Sequence, residues 1–282
     1  APAGHPFFKP DFPATHAVIQ TNGNSYCMNS VNKPGDADPR YDKRLAIVVP
    51  YRDRAEHLAK FIPHMLTYFQ RDKLDRQIAV TINIIEQFGN APFSRGRLGN
   101  CGFLLTRDTS DYICIHDVDY LPMWADYSWS PNPARLIWHG LTLKEDWNNF
   151  FGAVSLLDNS VFEKANGFPN CYWGWGPEDR ELGFRCRIQG FDFERRDGTY
   201  IPLPHTQAGF SAQGVWTDEA RRTNGLYSKR EPNLRTLLDQ DGVNTLQFRL
   251  VDKKPAALAG GGTVPNVWHY IVDLGEPEPG AV

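Results

Sequence analysis

LAIVVPYRDRAEHLAKFIPHMLTYFQ, residues 45–70, changes its period just after Tyr51. Its first part, LAIVVPY (45–51), is a continuous apolar run of the kind that makes a strand buried on both faces. Beyond it Leu58, Phe61, Ile62, Met65, Leu66 and Phe69 recur every three or four residues, the apolar stripe of a helix. Working outward, QIAVTINII (77–85) reads as a second buried strand and SRGRLGNCGFLL (94–105) as a short helix despite its glycines. DYICIHDVDYLP (111–122) reads as a third strand that runs into acidic residues and a proline stop. Strand, helix, strand, helix, strand predicts an α/β fold with parallel strands and right-handed crossovers. Ligands of such sheets collect at the carboxyl ends of the strands, where Tyr51-Arg52 and Asp117-Val118-Asp119 fall.

Before this unit, residues 1–44 are rich in Pro, Gly and Asn without a sustained period, and read as an irregular arm. After it, 123–149 is irregular and holds Trp124, Trp129, Trp138 and Trp147. FGAVSLL (151–157) reads as another strand, and Ser160 with Glu163 as a capping box opening a short helix that stops near Asn166-Gly167. NCYWGWGPED (170–179) is a Gly/Trp loop before the helix RELGFRCRIQG (180–190), and 198–232 reads as polar loop. NTLQFRLV (244–251) and VWHYIVDL (267–274) close the chain as strands, with GGG (260–262) as a turn and GEPEPGAV (275–282) as a disordered tail.

At 282 residues and 41% hydrophobic, the chain can bury a substantial core. A net charge of −3 gives no electrostatic reason to expect nucleic acid or an anionic membrane as partner. No apolar run approaches the roughly 20 residues of a membrane-spanning helix. Five scattered cysteines (Cys27, Cys101, Cys114, Cys171, Cys186) offer no zinc spacing and read as mostly buried free thiols. With no Asn-x-Ser/Thr sequon, they favour a cytoplasmic setting, with which a bacterial source is compatible, a Golgi lumen with a removed anchor being the alternative.

Two carboxylates at a strand's carboxyl end, Asp117 and Asp119, repel unless a cation neutralises them, and hard divalent ions prefer oxygen ligands. A solvated strand end is the plain alternative. In YWGWGPEDRE (172–181), Gly174 and Gly176 let the backbone approach a ligand, while Trp173 and Trp175 offer flat faces suited to sugar rings. Glu178 and Asp179 open the next helix, whose dipole favours their ionised forms. A core tryptophan pair beside an ordinary acidic helix start competes with that reading; the combination favours a carbohydrate site with a carboxylate base. Arg52, Arg54 and Arg95 follow strands and suit bidentate phosphate contacts, though surface ion pairing is the commoner fate of an arginine. There is no P-loop and no Rossmann fingerprint. His205, in a proline-flanked loop, matters only if the fold brings it to Asp119.

The stretches IVVPYRDRAEHL, FSRGRLGNCGF, DYICIHDVDYLP, FFGAVSLL, NGFPNCYWGWGPED and DGVNTLQF, in this order, resemble the catalytic domain of the β-1,4-galactosyltransferase family across 45–275. The xylose-acceptor branch is as good a comparison as the lactose-type branch. The resemblance implies a GT-A fold with a mixed, mostly parallel central sheet flanked by helices. It implies a nucleotide-binding half (45–125), an acceptor-binding half with mobile loops (126–275) and a tail (276–282). It also implies an inverting reaction with UDP-galactose as donor, Mn²⁺ as cofactor, and a saccharide or glycoconjugate acceptor.

Carried over by match, Pro50, Arg52, Arg54, Phe93 and Arg95 contact the nucleotide, and Asp117-Val118 lie at the donor sugar. Asp119 and His205 hold the metal, Trp175 stands at the donor–acceptor junction, Glu178 binds donor galactose and Asp179 is the base. Trp175, Gly176, Asp179, Arg180, Tyr227 and Phe150 face the acceptor, Phe150 also reaching the donor, where it replaces a tyrosine that hinders an N-acetyl group on the donor sugar's C2. The chain departs from the family at three places. Pro202 stands where the lactose-type branch has a methionine ligand, and Gln207 where the xylose branch has a second histidine. Arg180 replaces an acidic residue after the base. Rival readings are a transferase for UDP-GalNAc or UDP-Glc, an inactive sugar-binding relative, and a glycoside hydrolase, which needs neither the DVD strand end nor the arginines.

Overall fold

The computed structural model describes residues 18–21, 24–27, 43–71, 78–137, 151–196, 198–204, 215–257 and 261–277. The readings made of Trp138, Trp147, Phe150, His205, Gln207 and the tail from 278 fall outside the described residues. Inside the arm read as irregular, β1 (Val18–Thr21) and β2 (Asn24–Cys27) pair as an antiparallel hairpin.

The opening stretch folds as its period dictates. β3 (Lys43–Tyr51) leads into α1 (Ala55–Arg71), then β4 (Ile78–Gln87), α2 (Arg95–Thr106) and β5 (Tyr112–His116). Beyond these come β6 (Tyr120–Trp124), β7 (Ala134–Arg135), β8 (Val154–Asp158) and α3 (Asn159–Lys164). α4 (Glu178–Ile188), β9 (Glu194–Arg195), β10 (Thr199–Pro202), α5 (Asp218–Arg230), β11 (Arg249–Ala257) and β12 (Thr263–Asp273) complete the set.

Eight strands form the main sheet in the order β11-β12-β4-β3-β5-β8-β7-β9. β12, β4, β3 and β5 run parallel, while β11 and β8 are antiparallel to their neighbours, so the sheet is mixed and mostly parallel. From Leu45 onward β3 is apolar because it is covered on both faces. Ala46 and Val48 pack with Leu98, Phe103 and Phe168 on one side. Leu45, Ile47 and Val49 pack with Phe61, Met65 and Tyr68 on the other. The glycines of α2 are what let it lie on the sheet: a side chain at Gly102 would overlap Val48, and one at Gly99 would meet the Phe168 ring at 2.8 Å.

Four expectations needed correction. The strand read over 111–122 breaks at residues 117–119, and β6 leaves the main sheet to pair with β10. The stretch 198–232 is not all loop: it contains β10 and α5, which escaped notice because α5 buries only Ala220, Thr223 and Tyr227. The cap of α3 is Asp158, whose carboxylate accepts from Ser160 N at 2.8 Å and Ser160 Oγ at 2.6 Å, rather than Ser160 itself. Its stop at Asn166-Gly167 is as read, both residues being left-handed (φ 55° and 58°). Last, Val243–Thr245 is a 3-10 turn and the strand begins only at Arg249. Among the described residues Cys101, Cys114, Cys171 and Cys186 are free thiols, and no helix is long and apolar enough to cross a membrane.

Candidate active site

The site is built on the break after β5. Asp117 N donates to Ala153 O at 2.9 Å, and Ala153 is held left-handed (φ 59°), a costly conformation for a residue with a Cβ. The Val118 side chain is buried in the core beside Leu121, so only its backbone is left for a ligand. Arg95, the first residue of α2, donates from Nε to Asp117 Oδ1 at 2.7 Å, and its Nη1 lies 3.8 Å from Glu178 Oε1 on the first turn of α4. Both Nη atoms of Arg95 and Oε2 of Glu178 are buried without a hydrogen-bond partner in the protein, so all three can still bond to a ligand's polar atoms.

The electrostatics of this cluster follow from its crowding. Burial opposes the charge on Arg95, but Asp117, Glu178 and Asp179 together hold its guanidinium protonated more firmly than usual. Glu178 is pushed above the ordinary carboxylate range, first by burial and then by the charge of Asp179. Asp179 is also raised by burial, with Arg95 opposing the shift and Asp117 adding to it. Two adjacent carboxyls with raised pKa values on a helix start are a reasonable place for a proton acceptor.

The other arginines flank this centre. Arg52 donates from Nη1 to Ala91 O at 2.5 Å and lies 5.5 Å over the Phe93 ring, and Pro50 is buried in β3. Arg54 Nη1 lies 3.9 Å from Asp119 Oδ2 and 3.5 Å from His57 Nδ1. The chain leading towards His205 passes here, since Leu203 N donates to Asp119 O at 2.7 Å and His57 Nε2 sits 3.3 Å from Pro204 O. Among the described residues no group of three or more His, Cys, Asp or Glu could hold a metal. The buried Asp119 carboxylate supplies a hard oxygen donor of the type a divalent cation takes.

The Gly/Trp loop is bonded to α5. Gly174 is left-handed (φ 86°), its N donates to Phe93 O at 2.6 Å, and any side chain there would overlap Glu219. Trp175 is 37% exposed and stands edge-on to Trp216, itself 40% exposed, with ring centres 5.6 Å apart. Glu219 Oε1 accepts from Trp175 N at 2.5 Å, and Thr223 Oγ1 donates to Trp175 O at 2.6 Å, so α5 grips the loop. Half-buried Gly176 keeps its backbone close to Thr223, where a Cβ would stand 3.2 Å from the threonine's own.

Trp173, read as a second sugar face, is instead a core residue beneath the Arg97 guanidinium. Tyr227 is buried under Arg180, whose Cζ lies 4.7 Å from its ring, so its aromatic face is covered by the guanidinium. Arg180 also lies 3.6 Å from Glu231 Oε1, which accepts from Tyr227 Oη at 2.9 Å. Sequence reasoning missed Trp216, Glu219 and Thr223 because it read their segment as loop; Thr217, which caps α5, was the signal available.

The fold is that of GT-A glycosyltransferases. A profile for the N-terminal region of glycosyl transferase group 7 matches residues 10–129, and one for the N-terminal domain of galactosyltransferase matches 137–206. β-1,4-Galactosyltransferase 7 of Drosophila melanogaster is 37% identical over 225 residues, covering 76% of this chain and 68% of the relative. β-1,4-Galactosyltransferase 5 of Mus musculus is 36% identical over 230 residues, covering 77% and 54%. The chain thus spans about half the length of the mouse relative. The crystal structure of the Drosophila enzyme's catalytic domain with xylobiose superposes with a TM-score of 0.62 at 26% identity, covering 83% of this chain and 94% of that one. A mutant of that enzyme, solved with manganese, UDP-Gal and xylobiose, gives a TM-score of 0.58. The chain belongs to the β-1,4-galactosyltransferase family.

Proposed function

We propose that this chain transfers galactose from UDP-galactose to a hydroxyl of a saccharide or glycoconjugate acceptor, with inversion, forming a β-1,4 linkage. The observation that carries the reading is the convergence of Arg95 on Asp117 and Glu178, with Asp179 next on the same helical turn, in a chain of this family. Residues 45–275 act as one catalytic unit. Arg52, Arg54 and Arg95, with Pro50 and Phe93, take the nucleotide, the Nη atoms of Arg95 being the unpaired buried donors. Asp117, the Val118 backbone and Glu178 hold the donor sugar. Trp175, with the backbone of Gly176, orients the acceptor, while Arg180 and Phe150 border it. Asp179 accepts the proton of the acceptor hydroxyl as that oxygen attacks the anomeric carbon from the face opposite UDP.

Asp119 and His205 would hold Mn²⁺, which supplies positive charge for the departing diphosphate. The free thiols favour a cytoplasmic setting over an oxidising lumen. The test is UDP release from UDP-galactose, UDP-GalNAc and UDP-glucose with candidate acceptors, with and without Mn²⁺. Asp119→Asn should abolish metal-dependent turnover, because the amide keeps the shape but loses the charge. Wild-type Mn²⁺ affinity in that variant sinks the ligand assignment, and release from none of the donors leaves the inactive sugar-binding reading.

A further inference from the structure

We propose that His116 is a positioning residue for the cation site: with Tyr127 and Tyr200 it forms a buried hydrogen-bond chain tying the Asp117–Asp119 turn to β10. The inference rests on the reading of Asp119 as a metal ligand. His116 ends β5 and is fully buried, as is Tyr127, while Tyr200 on β10 is 7% exposed. His116 Nδ1 lies 2.9 Å from Asp117 O, its Nε2 lies 2.9 Å from Tyr127 Oη, and Tyr200 Oη donates to Tyr127 Oη at 3.2 Å.

The direction of the chain is set by what each atom can do. A carbonyl only accepts, so Nδ1 carries the hydrogen to Asp117 O. Nε2 of the neutral ring is then bare and must accept from Tyr127, whose hydroxyl in turn is free to accept from Tyr200. Every member is satisfied with a single polarity, as a buried polar network requires. The Phe61 ring packs edge-on against the imidazole at 5.1 Å, and the Tyr127 ring lies parallel to it at 6.1 Å. Tyr127 is itself anchored, its carbonyl accepting from Tyr112 Oη at 2.9 Å.

The chain spans two elements that the proposed metal would have to join. The turn bearing Asp119 is held at Asp117 O by His116, at Asp117 N by Ala153 and at Asp119 O by Leu203. β10 carries Tyr200, pairs Pro202 with Tyr120, and leads in sequence to His205. Groups that fix the support of a ligand commonly change metal affinity by about 10–100-fold. A purely structural polar cluster would instead affect thermal stability without selecting for metal.

The test measures Mn²⁺ binding to the UDP-bound protein by the electron paramagnetic resonance of free Mn²⁺, alongside thermal unfolding and kcat at saturating Mn²⁺. Tyr127→Phe and Tyr200→Phe, each removing one hydroxyl, should weaken Mn²⁺ by about tenfold while kcat at saturating metal is retained. His116→Asn can still donate to Asp117 O and should keep more Mn²⁺ affinity than His116→Phe. Wild-type isotherms in both tyrosine variants overturn the proposal. So does a loss that merely tracks melting temperature, with His116→Asn no better than His116→Phe. Asp119→Asn is the control: if it binds Mn²⁺ like wild type, the metal-site reading itself falls. If it alone loses binding, only the positioning role does.

Discussion

Asp179→Asn separates the chemistry proposed for Asp179 from the cost of keeping its carboxyl in place. Burial, with the charge of Asp117 adding and Arg95 opposing, raises the Asp179 carboxyl from 3.8 to about 6. The folded protein therefore holds this proton more tightly than the unfolded chain, and stability falls as pH rises through the window from about 4 to 6. A shift of about two units at 1.36 kcal/mol each makes the full cost about 3 kcal/mol above pH 6. That figure is a ceiling, because Asp179 keeps part of its surface in solvent. Asparagine does not titrate, and its Oδ1 can still accept from Arg180 N, a bond of 2.6 Å in the native site. The variant should match wild type in stability below pH 4 and exceed it by up to about 3 kcal/mol at pH 7. In the same protein kcat should fall by about 10²–10⁴-fold, as expected for loss of a general base. Urea unfolding from pH 3.5 to 8, with kcat on the same preparations, measures both. For wild type, kcat/KM should rise about tenfold per unit and level off near pH 6. A variant less stable than wild type at pH 7, a gain that persists unchanged to pH 3.5, or a retained kcat refutes the reasoning.

Arg95→Met leaves buried Glu178 and half-buried Asp117 without their shared counter-charge, so it should cost up to about 3–5 kcal/mol and most of the UDP affinity; UDP titration calorimetry at wild-type strength counts against it. Ala153→Gly relieves about 1–2 kcal/mol of left-handed strain against about 0.5–1 kcal/mol of added chain entropy. Its melting temperature should therefore hold or rise, and a clear drop would show that the Cβ packs productively. Phe150→Leu should favour UDP-GalNAc relative to UDP-galactose by at most about 10–200-fold. Donor competition reads that ratio, and an unaltered value removes Phe150 from the donor pocket.

The sequence by itself determined the β3-to-β5 unit, because runs such as LAIVVPY are apolar only where both faces of a strand are covered, and the helical stripe of α1 admits one period. It also singled out Asp117, Asp119, Glu178 and Asp179 as candidates for the chemistry, since they stand at strand and helix ends where a cluster of carboxylates needs a reason. Tertiary structure decided what those ends meet. Local sequence could not tell that Trp173 is core while Trp175 is exposed, because two residues separated by one glycine differ only in what packs on them. Nor could it show α5, whose buried face of Ala220, Thr223 and Tyr227 has too little apolar character to register as a stripe. The links from Arg95 to Asp117 and Glu178, and from His116 through Tyr127 to Tyr200, join residues up to 84 positions apart. No local spacing encodes such contacts, because they exist only once the sheet has brought the chain ends of separate elements to one edge.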